Sequence, residues 1–242
     1  MKRTLKIALL LLLISTKSFA HFFWIETNTK GTINKEHEVR IYFGEFGSNV
    51  VEKTNGEVFQ DAKHFIVWVI DQKGNKTELK TTATESYYTG KFIPKLEGTY
   101  SIILDNKKYK VLDYTKYDYG IFRPQYHSIT KVEIGNNIQH KTAAVNPESI
   151  TIIDLSSEKE KVKIQVLFKE QPLAEAEVTV FMKDNWSKKI NTDKNGMIVF
   201  NLPFKTRYVI EATHEDKVPG SYNGLKYQFT WHCAVLTVNE SF

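Results

Sequence analysis

Short runs in which apolar and polar residues alternate, punctuated by turn residues, recur along nearly the whole chain, and no helical period competes with them. Such runs must each bury one face in a sheet, which restricts the fold to the all-β class. In the first half they cover residues 38–43, 65–70 and 77–82, the second ending at the turn Asp71-Gln72-Lys73-Gly74-Asn75. Residues 98–104, the polar stretch Asp105-Asn106-Lys107-Lys108 and residues 109–112 predict a hairpin. Five more strands are expected at 161–168, 176–182, 197–202, 208–213 and 227–238, the spacing of a small β-sandwich. Gly196 ends the turn-rich stretch from Asn191 and can take a positive φ, which predicts a tight turn and a hairpin around it. Residues 113–147 are Tyr-rich and less regular. The expected organisation is two β-sandwich modules, 21–115 and 158–242, joined by an irregular connecting region, 116–157.

The first twenty residues have a different character. Lys2, Arg3 and Lys6 precede the apolar run Ile7–Ile14, and Ser18-Phe19-Ala20 is a small-x-small cleavage site, together the pattern of an export signal. The run is far short of the roughly 20 residues that cross a bilayer, and no later stretch approaches that length. An exported, periplasmic or otherwise extracytoplasmic protein without a transmembrane segment is expected, and its mature chain begins at His21. A terminal histidine joins a free α-amine to an imidazole, a chelating pair suited to Cu, Ni or Zn.

Removing that segment changes the charge. The 33 Lys and Arg against 28 Asp and Glu become 29 against 28, since Lys2, Arg3, Lys6 and Lys17 all lie in it. A near-neutral chain offers no sustained patch to steer nucleic acid or anionic lipid, so neither is an expected partner. The one cysteine, Cys233, forms no internal disulfide, so apolar burial must hold the fold, and 12 Tyr and 15 Phe supply the bulk.

Residues 162–168, then Pro172-Leu173-Ala174-Glu175-Ala176-Glu177-Val178-Thr179-Val180, then Thr192-Asp193-Lys194-Asn195-Gly196 and Leu202, resemble the transthyretin-like or carboxypeptidase-regulatory-like Ig modules of exported proteins. The wider arrangement adds Ala20-His21-Phe22-Phe23-Trp24-Ile25-Glu26, Gly90-Lys91-Phe92 with Pro94, Gly98-Thr99-Tyr100, and Tyr227 followed by Trp231-His232-Cys233-Ala234-Val235-Leu236-Thr237. Together these are similar to the DUF4198 family, exported proteins grouped with periplasmic components of nickel or cobalt uptake systems. The resemblance covers nearly the whole mature chain and implies metal-ligating histidines at His21, His214 and His232. Cys233 stands where relatives commonly carry an aromatic residue and is not added to the site.

Each histidine has a plainer alternative. His21 is either a ligand or the frayed end that cleavage leaves. His232 shares a strand face with Gln228, Thr230 and Ala234, away from the aromatic face of Tyr227, Phe229 and Trp231, as a rigid ligand or an ordinary surface histidine. His214 shares the face of Tyr208, Ile210 and Ala212 if the strand continues, which makes it a core histidine; if the strand stops at Thr213 it tops the sheet and meets His21. His64 stands at a strand start before Phe65-Ile66-Val67-Trp68 and His127 in the irregular segment after Pro124-Gln125-Tyr126, and each is a further candidate to complete a site, whereas His37 and His140 sit among polar residues and are expected to be exposed. Glu215-Asp216 or Glu211 are candidates to supply oxygen ligands or fix an imidazole tautomer.

The expected function is capture or delivery of a transition metal, with His21 as anchor and His214 and His232 as partners. Terminal-histidine chemistry favours Cu(II), the resemblance favours Ni(II) or Co(II), and an envelope metal transporter is the implied partner. The alternative is a non-catalytic envelope module that binds protein or glycan. A copper-dependent oxidative enzyme is a third reading, but neither a nucleophile triad nor H-E-x-x-H is legible, and no catalytic residue is assigned.

Overall fold

The computed structural model describes residues 21–143, 146–158 and 160–238. The export signal read from residues 1–20 lies outside them. The regular secondary structure of the described residues is almost entirely strand, as the alternation predicts.

Three sheets stack. The first outer sheet has the order β1 (Phe22–Thr27), β3 (His37–Glu45), β8 (Tyr88–Phe92), β7 (Thr82–Ala83), with β4 (Val50–Val51) on β3. The central sheet has ten strands, in the order β16 (Ser187–Asn191), β15 (Glu177–Phe181), β18 (Tyr208–Asp216), β21 (Phe229–Val238), β11 (Gly120–Ile134), β9 (Gly98–Asn106), β5 (Ile66–Ile70), β6 (Lys76–Glu78). Two short strands, β2 (Lys30–Gly31) and β10 (Leu112–Tyr114), also pair with β11. The second outer sheet is β12 (Ile150–Asp154), β13 (Lys161–Phe168), β14 (Gln171–Pro172), with β17 (Met197–Asn201) on β13. A separate hairpin joins β19 (Gly220–Tyr222) to β20 (Leu225–Tyr227), and one short helix, α1 (Glu57–Ala62), packs Phe59 and Ala62 inward.

The central strands are covered on both faces because successive side chains point to opposite sides. In β21, Cys233 and Val235 enter the core shared with β1 and β3, whereas Ala234 and Leu236 enter the core shared with β12 and β13. In β9 the same division sends Ile102 and Leu104 one way and Ile103 the other. A tyrosine fixes the entry to one strand in each half. The Tyr100 hydroxyl accepts from the Leu96 N–H and donates to its carbonyl, both at 3.0 Å, and Tyr208 does the same with Phe204 at 2.9 and 3.0 Å. These are tyrosine corners of the kind found in Ig-like sandwiches.

Several expectations change. The stretch read as an irregular connection, 116–157, carries β11, the longest strand, which pairs parallel with β21 over 122–129 and antiparallel with β9 over 130–134. Strands from both halves of the chain therefore share one sheet. The hairpin expected across 105–108 does not form: β9 runs on to Asn106 between β5 and β11, and residues 112–114 pair with β11 instead. Gly196 does take φ +70° in a turn whose three N–H groups are satisfied by Asp193. The strands flanking it part company, however, β16 joining β15 and β17 joining β13.

Candidate functional site

His21 sits at the start of β1, its ring 5.7 Å from that of Phe43 and its side chain 30% exposed. Pairing of Phe22 with Gly44 brings it beside the end of β3 and the segment after β4. There Nε2 lies 2.7 Å from Glu52 Oε1 and Nδ1 lies 3.3 Å from Glu45 Oε1, one carboxylate on each ring nitrogen. The family resemblance did not single out either glutamate, and no periodic signal marks them.

His214 and His232 are elsewhere. β18 continues to Asp216, so His214 keeps the face of Tyr208, Ile210 and Ala212 and stands directly opposite His232 in the register with β21. Both rings pack on Phe168, at 4.2 and 5.3 Å. Phe168 belongs to the core against the second outer sheet, whereas Phe43 belongs to the core against the first. The structure thus brings His214 and His232 together and sets His21 on the opposite face of the central sheet. The surface position considered for His232 also gives way: the second outer sheet covers it, and it is 2% exposed.

Behind His232 runs a buried chain of hydrogen bonds that sequence reading missed. His232 Nδ1 lies 2.6 Å from Ser149 Oγ, which lies 2.7 Å from His127 Nε2. His127 Nδ1 lies 3.0 Å from Asp105 Oδ1 and 2.8 Å from the side-chain amide of Asn146. Only His127 carried a candidate role. Asp105 and Ser149 look in the sequence like the polar ends of apolar strands, the one legible trace of a polar side chain held inside. The connectivity Asp-His-Ser matches a hydrolytic triad, but Ser149 is 0% exposed and its hydroxyl is already engaged by a second imidazole. The cavity beside His127 and Asn146 measures about 20 Å³, room for one water between the Ser128 and Thr151 hydroxyls and none for a substrate.

The remaining histidines divide differently from expectation. His37 is buried, 2.8 Å from Thr27 Oγ1, with its pKa lowered by burial, whereas His140 is exposed as expected and His64 is exposed at the approach to β5. Glu215 accepts from the Tyr119 hydroxyl at 3.0 Å and Asp216 pairs with Lys169 at 2.8 Å, so both carboxylates are engaged. Among the described residues, no group of three or more His, Cys, Asp and Glu side chains is gathered so as to hold a metal ion.

Two titrating groups on opposite faces work against each other. Burial pulls His232 down to about 3 and pushes Glu211, which accepts from the Cys233 thiol at 3.4 Å, up to about 7. His232, neutral in the fold, contributes stability present above its ordinary 6.5 and lost as pH falls toward 3. Glu211, protonated in the fold, contributes stability present below its ordinary 4.5 and lost as pH rises through 7. Between pH 4.5 and 6.5 the slopes oppose, each worth about 1.4 kcal/mol per pH unit. Glu211→Gln is therefore expected to steepen the rise of stability with pH by about that amount per unit, as urea unfolding at several pH values will show. An unchanged slope would mean that Glu211 is ionised in the fold.

Comparison with known proteins adds a family and little else. No curated protein matches. Two solved structures are similar over most of this chain: a biofilm-associated protein BSP domain (13% identity, 90% of this chain and 29% of that one, TM-score 0.22) and the Bacillus anthracis TIE protein (12% identity, 99% and 44%, TM-score 0.21). The chain spans less than half the length of either, and scores this low carry no argument. The model of the domain of unknown function DUF4198 matches residues 18–216, and the chain belongs to that family.

Proposed function

We propose that the protein captures a late first-row divalent ion, Ni(II), Co(II) or Cu(II), at the amino terminus left by removal of residues 1–20, for delivery to an envelope metal transporter. The observation that carries this is the carboxylate on each nitrogen of the His21 ring. With Glu52 accepting from Nε2–H, the tautomer is set and the lone pair sits on Nδ1, the nitrogen able to close a chelate ring with the α-amine. Glu45, facing Nδ1, supplies an oxygen. Two nitrogens and a carboxylate are a harder, more anionic set than the all-histidine site expected from sequence, which suits divalent ions over Cu(I). Copper still binds most tightly by the general affinity order, so a nickel or cobalt cargo would depend on which metal is available.

Calorimetric titration with Ni(II), Co(II) and Cu(II) tests this, comparing protein that begins at His21 with protein carrying one extra residue before it and with His21→Ala. Submicromolar binding at one ion per chain is expected, weakened about a hundredfold or more by either change, since each removes one arm of the chelate. Binding indifferent to both would overturn the site. It would favour instead a non-catalytic binding module, for which the aromatic cluster of Tyr114, Tyr117, Tyr119 and Phe122 at the start of β11 is the specific support, Tyr117 being exposed.

A further inference from the structure

The sequence joins Asn to Gly three times, at Asn55-Gly56, Asn195-Gly196 and Asn223-Gly224, and the fold treats the three pairs differently. Such a pair carries a latent reaction. The glycine amide nitrogen, once it gives its proton to hydroxide, can attack the asparagine side-chain carbonyl carbon, and the glycine has no Cβ to stand in the way. That attack needs a free N–H and a backbone with room to turn. At Asn55 the Gly56 N–H donates to the Lys53 carbonyl at 2.8 Å, and the Gly56 carbonyl accepts from the Gln60 N–H at 3.0 Å at the start of α1. At Asn195 the Gly196 N–H donates to the Asp193 carbonyl at 2.9 Å, the Gly196 carbonyl accepts from the Val166 N–H at 2.8 Å, and the glycine is buried against β13. Both nitrogens are engaged, and both glycines are tied on either side.

Asn223 and Gly224 form the two-residue turn between β19 and β20, both at positive φ, 51° and 80°, as a type I′ turn requires. Both are exposed, and the Gly224 N–H has no acceptor among the described residues. No atom lies within 4 Å of where a Gly224 Cβ would stand. The hairpin behind the turn is short. Its facing pairs are Gly220 with Tyr227, Ser221 with Lys226 and Tyr222 with Leu225, and neither strand joins another sheet. The Tyr222 ring rests against the Arg123 guanidinium at 3.8 Å. An isolated two-stranded ribbon is marginal in water, so this tip opens far more often than the sheets do. Each opening frees the Asn223 backbone to bring its side chain onto the Gly224 nitrogen.

We infer that Asn223 is a modification site, converted by water through a succinimide to aspartate and isoaspartate, and that the fold protects Asn55 and Asn195 from the same reaction. The Gly224 nitrogen bonds to the Asn223 side-chain carbonyl carbon, the bond from that carbon to the amide nitrogen breaks, and ammonia leaves. Water then opens the ring at either carbonyl, with no change of oxidation state. Isoaspartate routes the main chain through the side chain and adds one backbone atom, which a two-residue turn does not accommodate, so the hairpin loses its register and Tyr222 leaves Arg123. The damage stays local, because neither core includes residues 220–227. The experiment incubates the folded protein in mildly alkaline buffer made with ¹⁸O-water and follows each asparagine by peptide mass spectrometry, where uptake of heavy oxygen marks conversion and fragmentation separates aspartate from isoaspartate. Asn223 is expected to convert about tenfold or more faster than Asn55 and Asn195, with the three rates converging in guanidinium. Ser221→Cys with Lys226→Cys, a facing pair within disulfide reach, staples the hairpin and should slow Asn223 about tenfold when oxidised, with recovery on reduction. The native Cys233 is fully buried and does not compete. After conversion, amide hydrogen exchange should quicken across 220–227 and leave the central sheet unchanged. No conversion at Asn223, equal rates at the three sites in the folded protein, an ordering that persists in guanidinium, or indifference of Asn223 to the closed staple would each overturn the inference.

Discussion

Phe23→Ala is expected to destabilise the protein by about 3–5 kcal/mol, the usual range for a large aromatic removed from a closed core. Phe23 is 1% exposed, and its ring meets those of Phe43, Phe59, Phe65 and Tyr126 at 4.6 to 6.0 Å. Those four come from β3, α1, the approach to β5, and β11, so one side chain joins the first outer sheet, the helix and the central sheet. None can close the gap without leaving another contact. Guanidinium unfolding should show a lower midpoint with little change in slope. Val199→Ala is the control: it is also on a strand but 50% exposed, and should cost less than about 0.5 kcal/mol. Comparable losses in the two variants would mean that the aromatic cluster is not the fastening it looks to be.

The second large effect concerns charge. Asp154 on β12 is buried and accepts from Lys131 Nζ of β11 at 2.9 Å, an ion pair linking the central sheet to the second outer sheet. Asp154→Ala leaves that ammonium mostly enclosed with the Ser156 carbonyl as its remaining acceptor, at an expected cost of about 3–5 kcal/mol. Replacing both partners, Asp154→Leu with Lys131→Met, should recover most of the loss, because the penalty lies in stranding one charge rather than in losing the pair. Thermal or urea unfolding of the two variants decides this. A double variant as unstable as the single one would show that the pair contributes net stability.

Much of the architecture was legible from period alone. The strand expected at 161–168 has those bounds in the structure, and those expected near 176–182, 197–202 and 208–213 appear within a few residues. The period could not show which strands would be covered twice. β11 contains Arg123-Pro124-Gln125 and His127-Ser128 and so looks irregular, yet it is central, with Arg123 bonded to the Lys107 carbonyl and His127 to Ser149 inside the fold. β16 escaped notice for the opposite reason. Ser187, Lys188 and Lys189 are exposed on a sheet edge, where no apolar stripe is needed. At the candidate sites, the three histidines were visible as residue types, but their division between two faces was not. That division depends on which sheet covers which face, and strand spacing within one segment carries no such information. Glu45, Glu52, Asp105 and Ser149 come together only through pairing across long stretches of chain.

β21, the last strand described, lies in the middle of the central sheet, between β18 and β11. A ribosome or an export channel delivers a chain from its amino end, so both neighbours emerge before the strand that fills the space between them. Until residues 229–238 follow, β11 and β18 each offer a row of unpaired N–H and C=O groups on largely apolar strands, the kind of edge that recruits other chains. A product stalled before residues 229–238 is therefore an adhesive intermediate, and a chain ordered in this way favours being kept unfolded by a holding factor until β21 has emerged.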